Sequence, residues 1–283
     1  MCYDVAFLTK KKKAYADRLG NDFSEIDKLE RQLEILNVAP VYHTTAFDHW
    51  KLPVITSEAP DQIQLYNWGF MPSFIKDMDQ YNSRYTSRYL NSRIETLFDE
   101  QMYNGKLGRD LENPFYKSVL ERRCIVLLDG YFDWHWQGKN SYNFLVQMKN
   151  KTPMLVAGIW RTWQSKEKDV TRNTLSMVTT DANPLCRKVH NKPKASEGPR
   201  QLAMLDNASA LEWISLDSGE EQLKKVIRVF PENELDAFPV KKLFHQSGRT
   251  RISLNDPDCL EMASFPELKF GQEDQIAVQG QLF

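Results

Sequence analysis

The 283-residue chain has no run of about 18 consecutive apolar residues, so nothing in it reads as a membrane-spanning helix. It lacks an excess of either charge. With 37 Lys and Arg against 38 Asp and Glu, its formal net charge is -1, and a polyanion would have to be met by a local patch rather than a global field. Cysteine is scarce: Cys2, Cys124, Cys186 and Cys259 are far apart and form no C-x-x-C pair. His43, His49, His135, His190 and His245 show no metal-ligand spacing. No metal and no cofactor are expected, and the thiols read as those of a reduced, cytoplasmic protein. The apolar segment before the Lys10–Lys13 run is too short for a secretory signal, which also removes a lipoprotein reading of Cys2. Repeats, low-complexity blocks and convincing linkers are absent. What is present, 41% hydrophobic and 12% aromatic residues, suits a globular protein with a substantial core.

Val5–Leu8 reads as a strand. Ser24 with Asp27 three residues on resembles a capping box, and Ile26, Leu29, Leu33 and Leu36 mark a helical face ended by Asn37-Val38-Ala39-Pro40. Val54-Ile55 and Ile63–Trp68 look like strands. Ile94, Leu97, Phe98 and Met102 fall at helical spacing, Tyr103–Pro114 reads as a loop, and Phe115–Leu120 as a short helix. The middle is β-rich. Cys124–Leu128, an Asp129-Gly130 turn signal and Tyr131–Trp136 precede the alternating Tyr142, Phe144, Val146 and Met148, then Met154–Trp163 and Thr174–Thr180. Helices follow around Ala208–Ile214 and Glu220–Val226. The expectation is an α+β protein: a single domain over residues 1–254 with a central, mostly antiparallel, barrel-like β-sheet flanked by helices. Residues 255–283 form a C-terminal tail of unassigned role.

The chemistry starts at Met1-Cys2. Removal of Met1 would give Cys2 a free α-amine and a thiol on adjacent carbons. An α-amine titrates near about 7.7–8.0, against about 10.4 for Lys, so part of it is free base at neutral pH. A thiol near about 8.5 is lowered by a neighbouring cation. Together they suit an aldehyde: the amine forms an imine, the thiolate adds to its carbon, and a five-membered thiazolidine closes. Asn91 and Arg93, where Asn91-Ser92-Arg93-Ile94-Glu95-Thr96 enters a helix, suit an anion such as phosphate, and equally an ordinary helix cap with a surface arginine. Asp133, between Phe132 and Trp134, is a carboxylate whose pKa apolar neighbours would raise; a solvent-facing Asp on an alternating strand reads the same way. His190 lies in a basic segment and would shuttle protons near neutral pH, or be a surface histidine in a charged loop. Tyr81, Arg84, Tyr85, Arg88, Tyr89 and Arg93 interleave aromatics with cations. With Trp68 and Trp134 as further stacking faces they suit single-stranded nucleic acid, or a helix with a solvated basic face. Lys10–Lys13 reads as a solvated charged turn.

Taken together these residues resemble the SRAP family, the SOS-response-associated peptidases or abasic-site-processing proteins, from Cys2 to about Leu205. The carriers are Met1-Cys2, Asn37-Val38-Ala39-Pro40, Trp68-Gly69-Phe70-Met71-Pro72-Ser73 and Asn91–Thr96. Arg122-Arg123-Cys124 leading into Asp129–Trp134, and Thr179–Asn183 before His190, complete the set. The resemblance implies a protein that binds abasic sites in single-stranded DNA and captures the ring-opened sugar aldehyde on Cys2 as a thiazolidine cross-link, shielding the lesion. It implies Cys2 as nucleophile and Asn91 holding the amine or sugar. Arg93 would hold a flanking phosphate, His190 would assist ring opening and proton transfer, and Asp133 would be the acid–base carboxylate. The "peptidase" label would refer to removal of Met1, by self-processing with a thiol peptidase activity. Single-stranded DNA, the replication machinery, no membrane and a monomeric state complete the expectation. Three departures stand out. Cys2 is followed by Tyr3-Asp4 where the family reads Gly-Arg, Asp133 stands where the family has Glu, and Asn191–Pro199 intervene before Arg200-Gln201-Leu202. Two other readings fit parts of the pattern: an N-terminal-nucleophile amidohydrolase or peptidase using Cys2, and a non-catalytic single-strand binder.

Overall fold

A computed structural model describes residues 3–20, 23–104, 109–167, 169–192, 198–247 and 250–270. The chain runs β1 (Asp4–Phe7), α1 (Lys12–Leu19), α2 (Phe23–Leu36), β2 (Val41–Thr45), β3 (Lys51–Thr56) and β4 (Ala59–Trp68). Next come α3 (Met78–Arg84), β5 (Asn91–Arg93), α4 (Ile94–Leu97), the hairpin β6 (Gln101–Asn104) and β7 (Arg109–Glu112), and α5 (Tyr116–Glu121). The β-rich middle is β8 (Arg123–Leu128), β9 (Gly130–Gln137), β10 (Asn140–Met148), β11 (Met154–Gln164) and β12 (Thr171–Asp181). The last part holds α6 (Pro184–Val189), β13 (Arg200–Leu202), β14 (Met204–Leu205), α7 (Asn207–Ile214) and α8 (Glu220–Val226). β15 (Leu235–Pro239), β16 (Phe244–Ser247) and β17 (Thr250–Ser253) end it.

Five strands close on themselves. β12 pairs with β4, β4 with β3, β3 with β8, β8 with β11, and β11 again with β12. All these pairings are antiparallel except β12–β4. A second, antiparallel sheet runs β15-β10-β9-β1-β2. This is the expected single α+β domain with a barrel-like, mostly antiparallel centre.

Alternation divides the barrel side chains into two sets. Leu52, Val54, Val126, Val156 and Met177 share one core with Val5, Phe7, Tyr131 and Phe144 of the second sheet. Ile55, Ile125, Leu127 and Leu155 point the other way, onto Leu29 and Leu33 of α2 and Trp213 of α7. β8 is therefore buried on both faces, which is why its sequence is a continuous apolar run after Arg123. Arg123 itself is fully buried. Its guanidinium donates to Trp213 O, Val119 O, Leu120 O and Ser215 O, and so ties together the C-terminal ends of α5 and α7.

Several local expectations change. Lys12 and Lys13 begin α1, and Lys10 Nζ reaches the buried Asp129 Oδ1 at 2.8 Å rather than solvent. Asp129 also accepts from Thr9 N and Oγ1, both at 2.7 Å, and from the Tyr15 hydroxyl, so it anchors α1 to the sheet as well as starting a turn. The next residue must be glycine, because a Cβ on Gly130 would sit 2.7 Å from Val146 O of β10. α2 begins at Phe23, which puts Ser24 and Asp27 inside the helix instead of at its cap. α4 stops at Leu97, Met102 lies on β6, and part of the expected 103–114 loop is the β6–β7 hairpin. Residues 255–270 pack back onto the fold. Asn255 Oδ1 accepts from Tyr42 N at 2.8 Å, Val240 bridges Met262, and Phe270 meets Phe144 with centroids 4.4 Å apart. Among the described residues no helix is long and apolar enough to cross a membrane.

Candidate functional site

Asp133 and His190, 57 positions apart, meet where α6 ends against β9. Asn183 caps α6 by accepting from Cys186 N at 2.8 Å, Pro184 occupies the first turn, and His190 closes the helix with its N–H on Cys186 O. This sets His190 Nδ1 2.9 Å from Asp133 Oδ2. A carboxylate only accepts, so the imidazole proton sits on Nδ1 and Nε2 is left as the basic nitrogen. Asp133 Oδ1 accepts from the Trp134 backbone N–H at 2.8 Å, which fixes the carboxylate plane. Both groups are mostly shielded, with side-chain exposures of 13% for His190 and 8% for Asp133.

β1 lies beside this pair. Its Asp4 stands opposite Phe132, the residue before Asp133, and the Tyr3 carbonyl accepts from Ala46 N at 2.7 Å. Cys2 lies outside the described residues. Asp4 does not face solvent. It is 4% exposed, its Oδ1 lies 3.1 Å from His43 Nε2, and His43 Nδ1 lies 2.7 Å from Ser253 Oγ. Burial pushes the Asp4 carboxyl above its ordinary value; Asp133 and Asp48 push the same way, and His43 opposes them. The folded chain therefore holds this proton to higher pH than the unfolded chain. The stability that contributes is full below the ordinary pKa of 3.8 and is lost as pH rises through the raised one. Asp4→Asn should accordingly gain stability relative to wild type as pH rises from 4 toward neutrality. Urea midpoints of both proteins across that range check this, and a constant difference would refute it.

Asn91–Arg93 forms β5, parallel to Met177–Thr179 of β12, immediately before the single turn of α4. Ser92 faces inward, and Asn91 and Arg93, half-buried, share the opposite face. Arg200 locks the segment from behind. Its guanidinium grips Glu95 at 2.6 and 2.9 Å and Thr179 O at 2.7 Å. Arg84 and Arg88 are exposed, and Trp134 is half-buried.

Trp68 corrects the sequence-based expectation. It is 0% exposed in the core and donates its indole N–H to Leu90 O at 2.9 Å, so it offers no face to a base. The accessible aromatics nearby are Phe74, Tyr85 and Tyr89. The Phe74 ring packs 5.6 Å from Tyr85 and 6.2 Å from Tyr89, and the Arg88 guanidinium lies 5.7 Å from the Tyr85 centroid. Sequence reasoning missed Phe74, which lies ten residues before Arg84 and outside the interleaved Tyr81–Arg93 run. It also missed His135 and Asn191, whose partners are backbone groups and leave no mark in the sequence. Of the other cysteines, burial pushes Cys186 up to about 12 and Cys124 higher still, so neither serves as a thiolate. An apolar cleft lined by Leu29, Ile55, Leu155 and Leu211 lies under α2 and α7 and includes none of these site residues.

The family model of the SOS response associated peptidases (SRAP) matches residues 1–247. The chain belongs to the SRAP family. A relative from Saccharomyces cerevisiae, named as an abasic site processing protein, is 30% identical over 228 residues, covering 76% of this SRAP chain and 52% of that protein. The chain thus spans about half the length of this relative. A crystal structure of a protein from Bacteroides thetaiotaomicron superposes with a TM-score of 0.72 at 24% identity, covering 93% of this chain and 100% of that one. One from Bordetella bronchiseptica gives 0.64 at 16% identity, covering 85% and 100%. These two likenesses show the fold alone.

Proposed function

We propose that this SRAP protein processes abasic sites in single-stranded DNA, trapping the lesion aldehyde on Cys2. The observation that carries the reading is the Asp133–His190 pair, set beside the strand that follows Cys2 by two residues. Two trans peptides span at most about 7.6 Å between Cα atoms, so Cys2 is tethered within reach of this end of the sheet. The name of the yeast relative points the same way.

In this reading His190 Nε2 takes the proton of the C1′ hydroxyl and returns it to the ring oxygen as the bond from C1′ to that oxygen breaks, opening the ring to the aldehyde. The α-amine of Cys2, free after Met1 is removed by the protein itself or by an aminopeptidase, adds to the aldehyde carbon. One water leaves to give the imine. The thiolate then adds to that carbon and the nitrogen is protonated, which closes the thiazolidine. Asp133 holds the imidazole in the required tautomer. Asn91 orients the amine or the sugar, and Arg93 meets a flanking phosphate from the same face of β5. Arg84 and Arg88, with the clustered Phe74, Tyr85 and Tyr89 rings and Arg88 over Tyr85, suit a strand whose backbone is tracked by cations and whose bases stack; Trp134 offers a stacking edge next to Asp133. The protein would act as a cytoplasmic monomer where single-stranded DNA is exposed, as at replication.

A denaturing gel tests it. Protein whose intact mass shows Met1 removed should give a covalent band with a strand carrying one abasic site and none with an undamaged strand. Cys2→Ala should abolish the band without unfolding the protein. A band that survives Cys2→Ala removes the nucleophile assignment, and no band from processed protein removes the reading.

A further inference from the structure

β9 holds the end of α6 at three places. Asp133 accepts from His190. His135 Nδ1 lies 2.8 Å from Lys188 O. Trp136 and Asn191 exchange two bonds, Trp136 N to Asn191 Oδ1 at 2.8 Å and Asn191 Nδ2 to Trp136 O at 2.7 Å. A carbonyl only accepts, so His135 carries its proton on Nδ1 and donates it to Lys188 O. Lys188 O is one of the last carbonyls of α6, a group that the helix itself cannot satisfy. A six-residue helix has no cooperative stability of its own, so the position of its last turn is set by such outside bonds.

The His135 ring is in turn held from the C-terminal side. Phe270 meets it edge-on with centroids 5.2 Å apart, Phe144 lies 5.7 Å away, and the Lys188 ammonium sits 5.7 Å from the Phe270 centroid. Phe270 is delivered by bonds to the β9–β10 hairpin. Gln137 Nε2 donates to Glu267 O at 2.7 Å, Lys269 N to Gln137 Oε1 at 2.8 Å, and the Tyr142 hydroxyl to Glu267 Oε1 at 3.1 Å. Phe270 and these partners on the C-terminal segment lie beyond residue 247, where the family match ends.

We infer that His135 is a positioning residue for His190: its bond to Lys188 O fixes the last turn of α6, and Phe270 fixes the His135 ring. The C-terminal segment is then a part of the site's support, not an appendage. The inference rests on His190 as the proton-transfer group of the proposed reaction, but its geometric half does not depend on DNA.

Two substitutions separate the bond from the packing. In asparagine Nδ2 is attached to Cγ as Nδ1 is in histidine, so His135→Asn keeps the donor and loses the ring. His135→Phe keeps a ring and loses the donor. The first readout is the Nδ1–H resonance of His190 in NMR spectra of the protein alone. It should be exchange-protected in wild type and His135→Asn, and lost in His135→Phe and Phe270→Ala. The second is the rate of covalent-band formation at saturating abasic DNA, beside affinity for an undamaged strand. His135→Phe and Phe270→Ala should react about tenfold more slowly and His135→Asn within about threefold of wild type, all with unchanged affinity, as expected for a displaced catalytic group. Retention of both the resonance and the rate in His135→Phe overturns the inference, as does a His135→Asn as impaired as His135→Phe. If wild-type protein forms no covalent band the proposed function fails, and the resonance alone still decides the positioning claim.

Discussion

His190→Ala should slow covalent capture of an abasic strand by roughly 10²–10⁴-fold at saturating DNA, the range expected when a positioned general acid–base is removed. The argument is geometric. The Asp133 bond at 2.9 Å fixes both the ring plane and the tautomer of His190, so Nε2 is presented as a base without reorganisation. Alanine removes the base but leaves Asn91, Arg93, Arg84 and Arg88 in place, so affinity for undamaged single strands should be nearly unchanged. Asp133→Asn should give a smaller loss, because an amide oxygen still accepts from Nδ1–H but no longer stabilises the imidazolium. A His190→Ala rate within about threefold of wild type would remove His190 from the reaction.

Arg123→Met should cost about 3–5 kcal/mol of folding stability, the scale seen when one member of a buried charged network is deleted. Arg123 is 0% exposed, and burial lowers its pKa with no carboxylate to offset it. What holds the charge is the set of carbonyls at the ends of α5 and α7, where the helix dipoles are negative. Methionine fills much of the space but leaves the buried Trp213 O and Val119 O, and the partly buried Leu120 O and Ser215 O, without this donor. Urea unfolding with an unchanged m-value should report the loss. Arg123→Lys should recover little, because a point ammonium does not reproduce the planar fork. A change under about 1 kcal/mol would mean that the helix ends find other donors.

Much of the two main sheets was legible because burial on both faces leaves continuous apolar runs, as in β8 and β11 of the barrel, and half-burial leaves alternation, as in β10 of the second sheet. β5 was not legible as a strand: three residues carry no period, and its partner lies 86 residues ahead on β12. Trp68 was misjudged because aromatic character says nothing about which face a strand turns outward. The alternation was there to be used, since Tyr66, two residues earlier, is also buried. Lys10 sits in a run of four like residues, and only its distant partner Asp129 distinguishes it from the others. The Asp133–His190 meeting carries no local signal. It was expected from resemblance of the surrounding motifs, and the physical reason for it, a capped helix ending against β9, is visible only in three dimensions. Residues 256–270 read as thin because they dock through a few isolated aromatic anchors, Phe265 and Phe270, rather than through a periodic face.

β1 is an interior strand, with β2 on one side and β9 on the other. Its pairing of Ala6 with Gly130 means that over 120 residues are made before its second edge is closed. At about 5–20 residues per second of synthesis, that leaves the strand one-sided for roughly 6–25 s. The β9 edge of β1 therefore stays unpaired until the chain has been made as far as Gly130, and the order of synthesis, not local propensity, sets when this strand becomes an interior one.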